Sequence, residues 1–253
     1  MIPIKSADDI KIMRKANRVV ASLLEYLKDK IKVGITTYEL DKIARDFILS
    51  KGAKPAFLGY QVSGLPPFPS SICTSVNSCI VHGIPNKKTV LSEGDIIGID
   101  VGTFIDGMYG DGAKTYTVGK VSKEIKKLLK VTKTALDIAI DVSKIGNRIG
   151  DISFTIGDYI KKNSYFVANN LTGHGIGFSL HEDPQIPNSG IKGRGDRLKK
   201  GMTLAIEPMV NIGTEKVKEN GWECFTLDGT FSAHYEHTIH VTDGEPEILT
   251  VMN

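Results

Sequence analysis

Residues 96–117 read IIGIDVGTFIDGMYGDGAKTYT, two strand-like runs around a turn rich in Gly and Asp. Strand alternation from Ile96 to Gly102 puts Gly98, Asp100 and Gly102 on one face, with Ile97, Ile99 and Val101 on the other. Eleven residues after Asp100, Asp111 stands between Gly110 and Gly112, beyond a turn rich in Gly and Asp around Asp106 and Gly107. A hairpin over this stretch would bring two carboxylates together, and the flanking glycines would leave room for something bulky beside them. Taken alone, each aspartate reads first as a turn residue.

Helical patterns lie on either side. Ser6 with Asp9 has the form of a capping box, and Ile10, Met13, Ala16, Val20, Leu23, Leu24 and Leu27 follow at helical spacing. A second helix starts near Thr36 or Thr37, turns Leu40, Ile43, Ala44 and Phe47 inward, and stops at Gly52. A third is expected from Ser122 to Ile145, and a shorter fourth from the N-cap candidate Asp151. Strand-like runs rich in Val, Ile and Thr cover 71–82, 95–105, 113–118, 202–207 and 232–242. The order is helices, strands, helices, strands, without the regular alternation of a parallel sheet. The expectation is α+β, with helices backing a mainly antiparallel sheet in a single domain over residues 1–253.

Composition excludes several classes. With 41% hydrophobic and 24% charged residues, the chain is neither disordered nor a membrane protein. The basic residues are dispersed among acids and the net charge is only +3, so no DNA-binding surface is expected. Cys73, Cys79 and Cys224 form no Cys-x-x-Cys pair, which argues against a zinc ribbon or a disulfide scaffold. No apolar run suits a signal sequence or a membrane span, so the expected compartment is the cytoplasm.

Further candidates for chemistry lie downstream. Over 201–210, Glu207 ends an alternating run just before Pro208. It reads as a buried acid needing a partner or a metal, or as an edge residue in water. From Ser232 to His240, His234, Glu236, Thr238 and His240 share one face, and spacing alone nominates His234 and His240 equally as ligands. Gly173 to Gly177 frames His174 with glycines that would let the imidazole approach a site, and His181 and Glu182 follow. Carboxylates with one imidazole and no thiolate suit hard or borderline divalent ions. Were Asp100, Asp111, Glu207 and Glu236 to converge, two such ions would cancel their charge and clamp a water and a reacting carbonyl, as in a dinuclear hydrolase.

Taken together, Val81-His82-Gly83-Ile84-Pro85, Gly98-Ile99-Asp100-Val101, Tyr109-Gly110-Asp111, Gly173 to Gly177, His181 to Pro184, Ile206-Glu207-Pro208-Met209 and Tyr235-Glu236-His237-Thr238 closely resemble the type I methionine aminopeptidase family, over essentially the whole chain. The resemblance implies a pita-bread fold, a curved antiparallel sheet with helices on its convex face and an internal pseudo-twofold. It implies removal of the N-terminal methionine of nascent polypeptides by a monomer, with the ribosome as a further partner. Asp100 would bind one metal, His174 and Glu207 the other, and Asp111 and Glu236 would bridge both. The two divalent ions would be cobalt, manganese, iron, zinc or nickel, and a bridging water would be the nucleophile. Glu207 would shuttle its proton, and His82 and His181 would stabilise the tetrahedral intermediate. Tyr60, Phe68, Cys73, Leu180 and Trp222, with His82, would line the methionine pocket, and the backbone carbonyls of Asn77, Cys79 and Ser232 would hold a sodium or potassium ion. Three features depart from the family pattern: a long Gln61–Ser70 loop carrying Phe68, and glycines at 102 and 112 where larger residues are expected. The rival readings are a peptidase like aminopeptidase P or prolidase, for whose additional domain 253 residues leave no space, and a metal-free binding protein of the same shape.

Overall fold

The computed structural model describes residues 2–252. In chain order, α1 spans Ala7–Lys28 and α2 Thr37–Ser50, followed by β1 Lys54–Pro55, β2 Cys73–Val76, β3 Cys79–Val81, β4 Ile96–Ile105 and β5 Met108–Thr117. Then come α3 Lys123–Asp141, α4 Ile149–Lys162, β6 Phe166–Val167, β7 Thr172–Gly175, β8 Glu182–Pro187, β9 Thr203–Ile206 and β10 Met209–Asn211. The chain closes with β11 Val217–Asn220, β12 Glu223–Thr226, β13 Ser232–His234, β14 His237–His240 and β15 Glu247–Ile248. Every strand pairing is antiparallel.

The helices start where their caps dictate. Ser6 and Thr36 each close a capping box, with Asp9 and Glu39 as the reciprocal acids. At α4 the sequence expectation shifts: Asp151 is not the N-cap but the third helical residue, its carboxylate accepting the N–H of Arg148 at 2.8 Å. An acid satisfies free amides from either position, so type alone does not fix the boundary. The third helix ends at Asp141, four residues before the expected Ile145.

Two helix pairs cover two sheets. Val20, Leu23, Leu27, Leu40 and Ile48 pack with Ile97, Ile99 and Val101, so α1 and α2 lie against β4. Leu128, Ala135, Ile152, Ile156 and Ile160 pack with Leu204, Ile206, Ile239 and Val241, so α3 and α4 lie against β9 and β14. The sheets meet at β5: the Glu236 N–H donates to Ala113 O at 2.9 Å, and Thr238 Oγ1 donates to Asp111 O at 2.7 Å. The candidate site lies on that seam.

The β4–β5 hairpin forms as expected, with β5 five residues longer at its start than the sequence pattern showed. Asp106 and Gly107, at φ 48° and 87°, make its two-residue loop, since both positions need the left-handed region that Asp-Gly supplies. The resulting register sets Asp111 opposite Gly102 and Asp100 opposite Ala113, so both acids point from one face.

The expected strand over 232–242 is broken. Its two pieces, β13 and β14, pair with β10 and β9 in different sheets but in one continuous register. The break falls at Pro208, which accepts the Tyr235 N–H at 3.4 Å but has no N–H to return, while the backbone of Glu236 faces the other side and pairs with Ala113. Glu207 and Glu236 therefore face each other across the interruption.

Candidate metal centre

Asp100, Asp111, His174, Glu207 and Glu236 line one cleft, together with Phe57, Tyr60, Val62, Phe68, Cys73, His82, Leu180, His181 and Trp222. The cleft has a cavity volume of about 140 Å³. Asp111 and Glu236 are each 3% exposed. His174 Nε2 lies 3.5 Å from Glu207 Oε1 and 4.0 Å from Asp111 Oδ2. Its Nδ1 lies 2.9 Å from the carbonyl of Gly175, which turns the Nε2 lone pair toward the acids when Nδ1 carries the proton. His234 enters the same cluster, Nε2 standing 3.2 Å from Glu207 Oε2. His240 points elsewhere, to Glu247.

Two donor triads emerge, Asp111–His174–Glu236 and Glu207–His234–Glu236, each with its ligand atoms within 4.8 Å of one another. Glu236 belongs to both. Asp100 stands outside both triads, with its carboxyl against that of Asp111. Buried Asp100 Oδ1, Asp111 Oδ1, Glu236 Oε1 and His234 Nε2 have no hydrogen-bond partner among the described residues. Orphaned acceptors of this kind, all oxygen or imidazole nitrogen, fit divalent cations of the hard-to-borderline class.

Electrostatics lead to the same chemistry. Burial pushes Asp100 up to about 7, the charge of Glu207 adding to the rise, and burial pushes Glu207 up to about 8. Asp111 and Glu236 lie well above the carboxylate range, through burial first and then the neighbouring acids. Cations placed among these groups would reverse the shifts. Burial also lowers His82 and His174 to about 4, so both imidazoles are neutral near pH 7.

The sign of these shifts predicts a pH dependence. The folded protein keeps protons on Asp100 and Glu207 that the unfolded chain releases at its ordinary values of 3.8 and 4.5. The chelator-treated protein therefore loses stability as pH rises toward about 8. His82 and His174 oppose this only below their ordinary value of 6.5, which leaves the carboxyls alone above it. We expect its Tm to fall between pH 6.5 and 8, and saturating divalent ion to abolish the fall. A level profile in the chelated protein would contradict the shifts.

The glycines play a different part from the one their spacing suggested. A Cβ on Gly173 would lie 2.4 Å from Ala205 O, and one on Gly175 would lie 2.1 Å from Asp183 O. They admit neighbouring backbone behind His174 rather than a ligand in front of it. Beside Asp100, the space at Gly102 holds the ring of Phe57, 2.4 Å from where a Cβ would stand. Gly102→Ala must displace that ring, which lines the cleft. The expected result is a raised KM and a loss of about 1–3 kcal/mol in stability; unchanged KM and Tm would mean the ring has room to yield.

The Gln61–Ser70 loop forms the rim. Its base is pinned by Gly59 and Phe68 main-chain bonds, and Trp222 Nε1 donates to Pro66 O at 2.8 Å. Phe68 stacks edge-on against Trp222 and Phe57. Burial raises the Cys73 thiol well above its ordinary value, with Asp100 and Asp111 adding to the rise, which makes it cleft wall and not a thiolate nucleophile. Tyr60 Oη lies 2.6 Å from His181 Nδ1 at the mouth. His82 sits at φ 59°, a strained backbone for a non-glycine residue. Apart from the cleft, Asn77 O accepts the Ser232 N–H at 2.9 Å and Cys79 pairs with Phe225, so Asn77, Cys79 and Ser232 belong to one backbone corner. Phe57 and Val62 also line the cleft without a signal in the sequence pattern, since a single aromatic and a single aliphatic residue in a loop read first as packing.

Residues 11–243 match the family model of metallopeptidase family M24. The chain belongs to that family. Among M24 relatives, it is 47% identical over 253 residues to the methionine aminopeptidase of Clostridium acetobutylicum, covering 99% of each chain. It is 48% identical over 252 residues to methionine aminopeptidase 1 of Bacillus subtilis, again covering 99% of each. The structure matches the crystal structure of methionine aminopeptidase from Thermotoga maritima with a TM-score of 0.96 at 43% identity, over 100% of both chains. The expected M24 pita-bread fold is therefore the fold of this chain. The prolidase of Pyrococcus horikoshii shares the fold alone, with a TM-score of 0.80 at 22% identity; the match covers 99% of this chain and 64% of that one.

Proposed function

We propose that this M24 chain is a methionyl aminopeptidase that removes N-terminal methionine from nascent polypeptides and peptides, with residues 1–253 acting as one catalytic domain. The observation that carries this reading is the convergence of four carboxylates and His174 at the floor of a cleft whose walls are aromatic, aliphatic and sulfur-bearing. Asp100, Asp111, His174, Glu207 and Glu236 would hold two divalent ions. When bound, such ions supply Lewis acidity toward the scissile carbonyl and make a water acidic near neutral pH.

The protein's own groups do the rest. Tyr60, Phe68, Cys73, Leu180 and Trp222 take up the flexible thioether side chain, which suits an apolar slot of mixed shape. Glu207 receives the proton of the attacking water and returns it to the leaving amine, a task for a carboxylate that bound cations keep ionised at the cleft. Neutral His82 and His181 donate N–H groups to the developing oxyanion. Tyr60 holds His181 through its Nδ1, which fixes the ring for donation from the other nitrogen.

In this reading the enzyme is a cytoplasmic monomer that meets its substrates at the ribosome. A sodium or potassium ion sits on the carbonyls of Asn77, Cys79 and Ser232, where Asn77 O has one lone pair left after its bond to Ser232. The test uses Met-Ala-Ser and Xaa-Pro peptides, each with and without chelator. Cleavage of Met-Ala-Ser alone, lost on chelation and restored by divalent ion, is the expected result. Cleavage of Xaa-Pro in preference would replace this reading with the prolidase-like one, and no cleavage of either would leave a binding protein.

A further inference from the structure

The ligand set proposed above uses one imidazole, yet a second is built into the same cluster. His234 ends β13 and is 3% exposed. Its backbone is fixed on both sides by Thr115, whose Oγ1 accepts the His234 N–H at 3.0 Å and donates to the His234 carbonyl at 2.8 Å. Nε2 is buried with no hydrogen-bond partner among the described residues. It lies 3.2 Å from Glu207 Oε2, but the direction does not suit a hydrogen bond between them. A buried polar atom left in this way costs about 1–3 kcal/mol, which argues against a purely structural role.

Its position completes the argument. Glu207, His234 and Glu236 offer donor atoms within 4.8 Å of one another, as Asp111, His174 and Glu236 do on the other side. Each triad pairs one imidazole with two carboxylates, and the two triads share Glu236. The continuous register across the break at Pro208 produces this symmetry, since it sets Glu207 against Glu236 with His234 two residues away.

We infer that His234 is a ligand of the dinuclear centre, binding through Nε2 beside Glu207 and Glu236 as a second imidazole in addition to His174. This inference rests on the dinuclear reading proposed above. A second nitrogen donor favours later first-row ions over manganese, whose preference is for oxygen.

The experiment strips the full-length protein with chelator, reloads it with two equivalents of Zn(II), and counts imidazoles by X-ray absorption fine structure. Wild-type protein is expected to show as many imidazoles as zinc ions, a readout that needs no variant. His234→Gln should halve that count. By calorimetric titration it should weaken one of the two zinc-binding steps by on the order of 10–100-fold, with a smaller effect for Mn(II). Two bound zincs sharing a single imidazole in wild-type protein, or an unchanged count in His234→Gln, would overturn the role of His234 alone. Failure of wild-type protein to take up zinc at all would overturn the metal centre itself, and this inference with it.

Discussion

Glu207→Ala is expected to lower kcat on Met-Ala-Ser by roughly 10²–10⁴-fold, while the circular dichroism spectrum and a cooperative melt survive. The expected loss is that of a positioned general base, about 3–5 kcal/mol of transition-state stabilisation. Glu207 sits just beyond β9, where its backbone carbonyl accepts a bond from Asn188 Nδ2 at 2.9 Å and Pro208 ends the ladder. Its side chain reaches His174 on one side and His234 on the other. Truncation removes a carboxyl that burial lifts to about 8, so nothing in the core depends on its charge. Full turnover in this variant would remove Glu207 from the chemistry.

Asp111→Asn should act with opposite signs on function and on stability. Asp111 lies within one donor triad and against Asp100, so losing its charge should weaken divalent binding by about 100-fold or more and abolish turnover at micromolar metal. The amide keeps the shape and leaves undisturbed the main-chain bond from Asp111 N–H to Asn17 Oδ1 at 3.3 Å. It also removes one of four mutually repelling buried carboxyls. The chelated variant should therefore melt higher than chelated wild type at pH 8, since burial and the neighbouring acids make the folded protein hold a proton on Asp111 that the unfolded chain releases at its ordinary value of 3.8. A lower melting point in the chelated variant would mean that the carboxyl contributes to stability without metal, and that the cluster is not strained.

Much of the molecule was legible from local pattern. The Ser6–Asp9 capping box placed the start of α1, and the start of α2 was expected near Thr36 or Thr37, because a cap is satisfied within four residues of sequence. The Asp-Gly turn announced the β4–β5 hairpin, and with it the approach of Asp100 to Asp111. The M24 family was legible from the ordered motifs, which span both halves of the chain. What escaped were features that depend on contacts from distant segments. The strand expected over 232–242 is two pieces because Pro208, more than twenty residues upstream, withholds an N–H from the facing ladder. The glycines around His174 and beside Asp100 promised space for a ligand, yet that space is taken by Ala205, Asp183 and Phe57.

Local sequence supplies the available chemistry: four acids, a glycine-framed His174 and an apolar wall, on elements whose period and turns follow from neighbours along the chain. It could not choose between His234 and His240, since both lie on the same side of an ideal strand. Only the tertiary structure made that choice. The register sets His234 opposite Met209 at the acid cluster and His240 opposite Thr203, farther along the strand, where it pairs with Glu247, because register is set by the partner strand and not by the strand itself.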